Sequence, residues 1–311
     1  MGTVYRKTVL LGSLSVVLSA IILLGASACT GSEQSQSQSP TPIDWGSVGQ
    51  AVGKEGELMA GDVYRINLPR GDLNVTSGGV TIQPGFALGS YTAFKQTGDD
   101  EALVMGDLVL TEEEYNRVIS RLQEGGIEQT AVHKHLLEES PAIWWTHIHG
   151  QGEPVEMAET IRAALDLTGT PLSGGGGSGS QDLGIDTGRL DEILGHTGRT
   201  DGGIYKYNIG RAESVTLHGT ELNPPLGVAT VLNFQPTGNG NAAINGDFVM
   251  TEDEVNRVIR ALPGNGIEVV SLHNHTLDEE PRLFYMHFWA NDDAETLARG
   301  LRAALDETNS A

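Results

Sequence analysis

Behind Thr111, and again behind Thr251, apolar side chains recur at the i, i+3, i+4, i+7 spacing of a helix with one buried stripe. They are Tyr115, Val118, Ile119 and Leu122 in the first stretch, and Val255, Val258, Ile259 and Leu262 in the second. Thr111 with Glu114, and Thr251 with Glu254, fit the capping box that starts such a helix, because hydroxyl and carboxylate each satisfy a backbone donor left free at its first turn. Gly125-Gly126 and Gly264-Asn265-Gly266 supply the stops, since glycine accepts the left-handed conformation of a helix C-terminus. Upstream, short apolar segments separated by Gly, Asp and Pro predict strands over Asp62 to Leu68, near Val75 to Ile82, over Tyr91 to Gln96 and over Leu103 to Leu110. A short helix at Trp45 to Val52, matched by Thr187 to Leu194, opens each stretch. A last helix closes it, with Ala158, Ile161 and Leu165, or Leu297, Leu301 and Leu305, on one face.

The elements come twice because the sequence does. Gly106-Asp107, Thr111 to Glu114, Asn116-Arg117-Val118-Ile119, His133-x-His135, Pro141 and His147 return 140 positions later. Their counterparts are Gly246-Asp247, Thr251 to Glu254, Asn256-Arg257-Val258-Ile259, His273-x-His275, Pro281 and His287. A self-match at one fixed long period means two copies of one domain. Strand, helix, strand, strand, helix after an initial meander predicts α+β: two homologous domains, each a largely antiparallel sheet with helices packed on it. The expected boundaries are 43–172 and 185–309, joined by a Gly/Ser linker at 173–184 whose ten or so central residues span roughly 18 Å as a coil.

The beginning of the chain adds an address. Arg6 and Lys7, an apolar run from Val9 to Leu24 and the small residues Ala26-Ser27-Ala28 read as an export signal over 1–28. The single cysteine, Cys29, follows directly and resembles the lipidated residue of a bacterial lipobox, although Ala26 stands where leucine is commoner; an uncleaved membrane anchor is the alternative. Residues 29–42, rich in Ser and Gln, read as a disordered tether. The expected location is therefore extracytoplasmic, with the chain anchored to the bacterial cell membrane through Cys29. Loss of 1–28 removes Arg6 and Lys7 and no acid, leaving 17 basic against 41 acidic residues, a net charge of −24 with histidine neutral. Such a surface disfavours nucleic acid and anionic headgroups and is otherwise that of a soluble acidic protein.

Candidate chemistry lies in the histidines. Alternate strand residues share a face, so His133 aligns with His135, and His273 with His275. A hairpin centred near Ser140 would place His147 opposite His133 and Trp145 opposite His135, whereas a one-residue slip would send His147 to the other face. Three imidazoles in each repeat, His133, His135 and His147 or His273, His275 and His287, suit zinc or another divalent transition metal. The bland alternative is a half-exposed strand whose ring nitrogens meet carbonyls or water. Asp107 and Asp247, or the turn carboxylates Glu138 and Asp278, are candidate oxygen ligands, and the first two are candidate general bases. His149 has Trp289 at its counterpart and is not a shared requirement. No Gly-x-Ser-x-Gly elbow occurs, and the lone cysteine belongs to the anchor, so covalent hydrolysis has little support.

The stretch Gly246-Asp247-Phe248-Val249-Met250-Thr251-Glu252-Asp253-Glu254-Val255-Asn256, with Leu272-His273-Asn274-His275, resembles the LppY/LpqO domain of bacterial lipoproteins, and both copies share the likeness. That family is chiefly a domain of unknown function, so the resemblance implies a lipoprotein and leaves activity open. Copy one departs from the His-Asn-His string at Lys134, an ammonium that would weaken a metal site if it pointed inward. Three functions follow: a lipid-anchored protein binding a divalent metal or small ligand in each repeat, a metal-dependent hydrolase of an envelope component, or an interaction module that makes no use of the histidines. The first is the leading expectation, which leans away from an enzyme and leaves that question open.

Overall fold

The computed structural model describes residues 40–173 and 182–311. The expected export signal, Cys29 with its expected lipidation, most of the expected tether and the centre of the linker lie outside the described residues. Copy one runs α1 (Trp45–Val52), β1 (Glu57–Met59), β2 (Val63–Pro69), β3 (Val75–Ser77), β4 (Val80–Ile82), α2 (Pro84–Ala87), β5 (Gly89–Gln96), β6 (Ala102–Thr111), α3 (Glu112–Glu124), β7 (Glu128–His133), β8 (Ile143–Gly152) and α4 (Pro154–Leu165). Copy two follows with α5 (Thr187–Leu194), β9 (Arg199–Asp201), β10 (Ile204–Gly210), β11 (Thr216–Leu217), β12 (Thr220–Glu221), β13 (Ala229–Gly238), β14 (Asn241–Met250), α6 (Glu252–Ala261), β15 (Glu268–His273), β16 (Phe284–Asp293) and α7 (Ala294–Leu305). Each copy builds a six-stranded antiparallel sheet, in the order β1-β2-β5-β6-β8-β7 and β9-β10-β13-β14-β16-β15. The two homologous domains are α+β, as the element order predicts.

The helices form where their caps stand. Both capping boxes are complete, so the backbone turns from β6 into α3, and from β14 into α6, with the cap amide and the third amide of the helix both satisfied. Their apolar stripes meet the sheet: Val118 and Leu122 with Ile161 and Leu165 cover one face in copy one, and Val258 and Leu262 with Leu301 and Leu305 do so in copy two. Burial of each such side chain stabilises the fold by roughly 1.5–3 kcal/mol. A second device fastens these helices. Arg70, fully buried just beyond β2, grips the capping-box residue Glu114 through both terminal nitrogens, at 2.8 and 3.0 Å, while Glu114 also accepts from the amide of Gly169 at 3.0 Å. Arg211, Glu254 and the amide of Asn309 repeat the arrangement.

The opposite faces of the sheets are not left to solvent. Both copies belong to one compact unit. One shared cluster joins Tyr91, Leu103 and Met105 to Leu226, Val249 and Tyr285, and another joins Phe86, Val109 and Trp145 to Ile204, Ala243 and Trp289. Polar groups stitch the same interface. Asn233 Nδ2 donates to the carbonyl of Phe86 (3.2 Å), and the amide of Gln235 is matched to Gln83 and Thr81 (2.9 and 2.8 Å). Edge strands β7 and β15 also meet: Thr130 Oγ1 donates to the carbonyl of His275 (2.6 Å), and Ser271 Oγ to that of Lys134 (2.7 Å). The central strands of each sheet are thus buried on both sides, while the edge strands β7 and β15 are half-exposed, as allowed for above, and turn their histidines toward the interface.

Candidate metal centre between the repeats

The hairpin register differs from the expectation by two residues. His147 pairs with Ala131, and His133 with Trp145, after an irregularity between Gln129 and Ala131; His287 and His273 repeat this with Ser271 and Tyr285. A shift of two preserves the face, so His133 and His147 still project to one side, as diagonal instead of direct neighbours. His135 and His275 fall just past the ends of β7 and β15 and fold back over the aromatic ring that follows. His135 stacks on Trp145 at 4.5 Å and His275 on Tyr285 at 4.3 Å.

The six histidines do not form one site per repeat. They converge in a single stack across the interface: His133 on His273 (3.8 Å between ring centroids), His135 on His287 (3.8 Å) and His147 against His275 (3.6 Å). Ligand-competent atoms within 4.8 Å of one another form two groups, His133 with His147 and His273, and His133 with His135 and His287. Each group draws on both copies, which corrects the expectation of a self-contained triad in each repeat. The physical reason is that the histidine face of each sheet is the face that packs on its partner.

Hydrogen bonds set the rings' protonation. His287 Nδ1 lies 2.9 Å from the carbonyl of Gly246, His147 Nδ1 3.4 Å from that of Gly106, and His273 Nδ1 2.8 Å from that of Asn274. A carbonyl only accepts, so each Nδ1 carries the proton and each Nε2 presents a lone pair. Those three Nε2 atoms are buried and have no protein partner, and the same holds for Nδ1 of His133. The glycines that supply two of the carbonyls are there for close approach. A Cβ on Gly106 would lie 2.5 Å from the carbonyl oxygen of Tyr91, and one on Gly246 only 1.8 Å from that of Val231.

Burial pushes the histidines down, those of His133, His135, His147, His275 and His287 well below the ordinary 6.5, with neighbouring imidazoles adding to the effect. Burial likewise pushes His273 down. They are neutral at pH 7, the form that ligates a metal. Burial pushes both aspartates up. Asp107 sits 3.3 Å from His135 Nε2 and 3.9 Å from His147 Nδ1, with Oδ1 unpartnered. Burial, reinforced by the Asp107 charge, pushes Asp247 up to about 8, so it is largely protonated at neutral pH and unsuited to act as a base there.

Three other expectations are placed by the structure. Lys134 points away from the cluster: its ammonium pairs with Glu139 and the carbonyl of Ile143 and lies 4.1 Å from the Trp144 ring centre. Asn274 in the same position of copy two donates to the carbonyl of Thr130 (2.9 Å), so it is a cross-repeat fastener. His149 belongs to neither three-histidine group; with His218, Glu128 and Asp278 it lines a separate cavity, and Asp278 faces His218 at 3.7 Å. The Arg70 and Arg211 clamps, and the inter-repeat ring stack, had no signal in the local pattern beyond the equivalence of the two arginines' neighbourhoods.

The chain matches the Domain of Unknown Function (DUF1259) over residues 46–167 and again over 188–307, and it belongs to that family in two tandem copies. No curated protein matches it. Among solved structures, the trimeric bacterial microcompartment shell protein PduB is similar at 13% identity, over 81% of this chain and 90% of that one, with a TM-score of 0.21. A likeness so slight carries neither fold nor function. Among the described residues, no helix is long and apolar enough to cross a membrane.

Proposed function

We propose that this chain is a lipid-anchored extracytoplasmic protein of the LppY/LpqO type that binds a divalent transition metal, zinc or a close relative, between its repeats. One observation carries the reading: the buried Nε2 atoms of His147, His273 and His287 have no protein partner, while each Nδ1 is bound to a backbone carbonyl. A buried polar atom left without a partner costs about 1–3 kcal/mol, and three of them on neutral, oriented imidazoles in one cluster are best explained by an ion that accepts their lone pairs. The membrane is the expected partner through Cys29, and an envelope component or small ligand remains compatible with the acidic surface.

Burial favours retention over turnover. His133, His147, His275 and His287 are each 5% exposed or less, which leaves little room for a large substrate to reach a bound ion. Asp107 supports a second reading, metal-assisted hydrolysis of a small substrate, because its unpartnered Oδ1 beside His135 and His147 is placed to ligate or to take a proton. The test of binding is elemental analysis of the untagged full chain in detergent, after exposure to zinc, nickel, copper or manganese and desalting, beside a His147→Ala/His287→Ala variant. Metal retained by the parent and lost by the variant is the expected result. No metal in the parent would overturn the reading.

A further inference from the structure

We infer that the centre takes two ions, not one, and that the imidazole of His133 bridges them. The inference rests on the metal reading above and deepens it. His147 and His273 gather about one position, His135 and His287 about another, and only His133 belongs to both groups. The five rings do not close into a single set, so one ion cannot collect them all. An imidazole has two ring nitrogens directed to opposite sides, so one ring can serve two ions at once. In His133 neither nitrogen is bound to a backbone carbonyl. Its Nε2 shares a hydrogen bond of 2.8 Å with Nε2 of His135, a contact that a bound ion would replace, and its Nδ1 is buried without any protein partner.

The surroundings fit such a bridge. His133 is 5% exposed and sits in the middle of the stack, with His135, His147, His273 and His287 all within 5.1 Å of it, centroid to centroid. Its pseudo-equivalent His273 cannot do the same, because its Nδ1 is already committed to the carbonyl of Asn274. The repeat is therefore symmetric in sequence and asymmetric in chemistry, with the bridge on the copy-one side. Asp107, next to His135, adds a carboxylate on that same side. When the second ion binds, the remaining ring proton of His133 passes to solvent buffer and the ring is shared as an imidazolate. A centre so rich in imidazole favours copper(II), zinc(II) and similar transition ions over calcium and magnesium, which prefer oxygen.

Copper(II) makes the bridge visible. The untagged full chain in detergent is loaded with copper(II), desalted, and measured for copper content and for doubly integrated paramagnetic resonance intensity at low temperature. We expect two equivalents of copper with an intensity well below that content, because spins joined through one imidazolate couple. His287→Ala, which breaks one group only, is expected to keep one equivalent at full intensity. His133→Ala is expected to abolish the coupling, with circular dichroism checking that the variant folds. One equivalent in the parent, or two equivalents at full intensity, would overturn the bridge while the metal reading stood; no copper retained at all would overturn the metal reading itself. The parent measurement decides the matter even if a variant fails to fold.

Discussion

Replacing Glu254 by alanine should cost about 3–5 kcal/mol of stability, because it removes one half of a buried ion pair and strands its partners. The carboxylate is 4% exposed and accepts four hydrogen bonds: from Arg211 Nη1 (2.7 Å) and Nη2 (3.1 Å), from the Thr251 amide (2.7 Å) and from the Asn309 amide (2.7 Å). Arg211 keeps Glu213 and the carbonyl of Val249, which limits the loss on its side. The Thr251 and Asn309 amides lose their acceptor as well, but both lie where water can partly replace it, so they add less than a fully buried donor would. These terms share partners and do not add, so the range for breaking a buried pair is the appropriate figure. The assay is urea unfolding of the full chain in detergent at pH 7, followed by tryptophan fluorescence. Glu307→Ala is the matched control, since its contact with Arg257 is 3.7 Å long between side chains that are 41% and 48% exposed, and a surface pair of that kind contributes no more than about 1 kcal/mol. A loss below about 1 kcal/mol for Glu254→Ala would refute the reasoning that the clamp anchors α6 and the C-terminus to the sheet carrying Asp247.

The same clamps set an acid limit. Burial pushes the Glu114 and Glu254 carboxyls up, but the arginines and backbone amides outweigh it and hold both below the ordinary 4.5. Their stabilisation is therefore complete above pH 4.5 and lost as pH falls through the depressed values, which unfolding midpoints measured from pH 6 to pH 3 will show. In the metal-free protein the buried histidines act earlier: with native values below 6.5, the unfolded chain takes up their protons first, so stability should fall as pH drops from 6.5 toward 5, and bound metal should oppose that fall. Gly246→Ala should destabilise by about 1–3 kcal/mol or more through overpacking, since its Cβ would lie 1.8 Å from the Val231 oxygen, and should lower metal retention by displacing the carbonyl that orients His287. Lys134→Asn, which gives copy one the string of copy two, should leave metal retention unchanged because the ammonium faces Glu139 and Trp144; a several-fold change would show that it reaches the cluster.

What the sequence determined by itself is local. Thr111 with Glu114 and Thr251 with Glu254 mark where helices begin, because a cap is satisfied within one turn of backbone. The fixed 140-residue offset establishes two copies of one domain, and the two-residue period places His133 on the face of His147 even though the pairing is shifted by two. Tertiary structure alone decided which histidines meet. Nothing in the spacing of His133 and His135 reveals that their nearest ring partners are His273 and His287, because that depends on how two sheet faces, far apart in sequence and joined by a linker that does not fix their docking, fit each other. The direction of Lys134, the tautomers set by Gly106 and Gly246, and the burial that keeps the imidazoles neutral follow from the same packing. Periodicity reports the face a side chain occupies, whereas the partner of that face is chosen by the complementarity of whole surfaces.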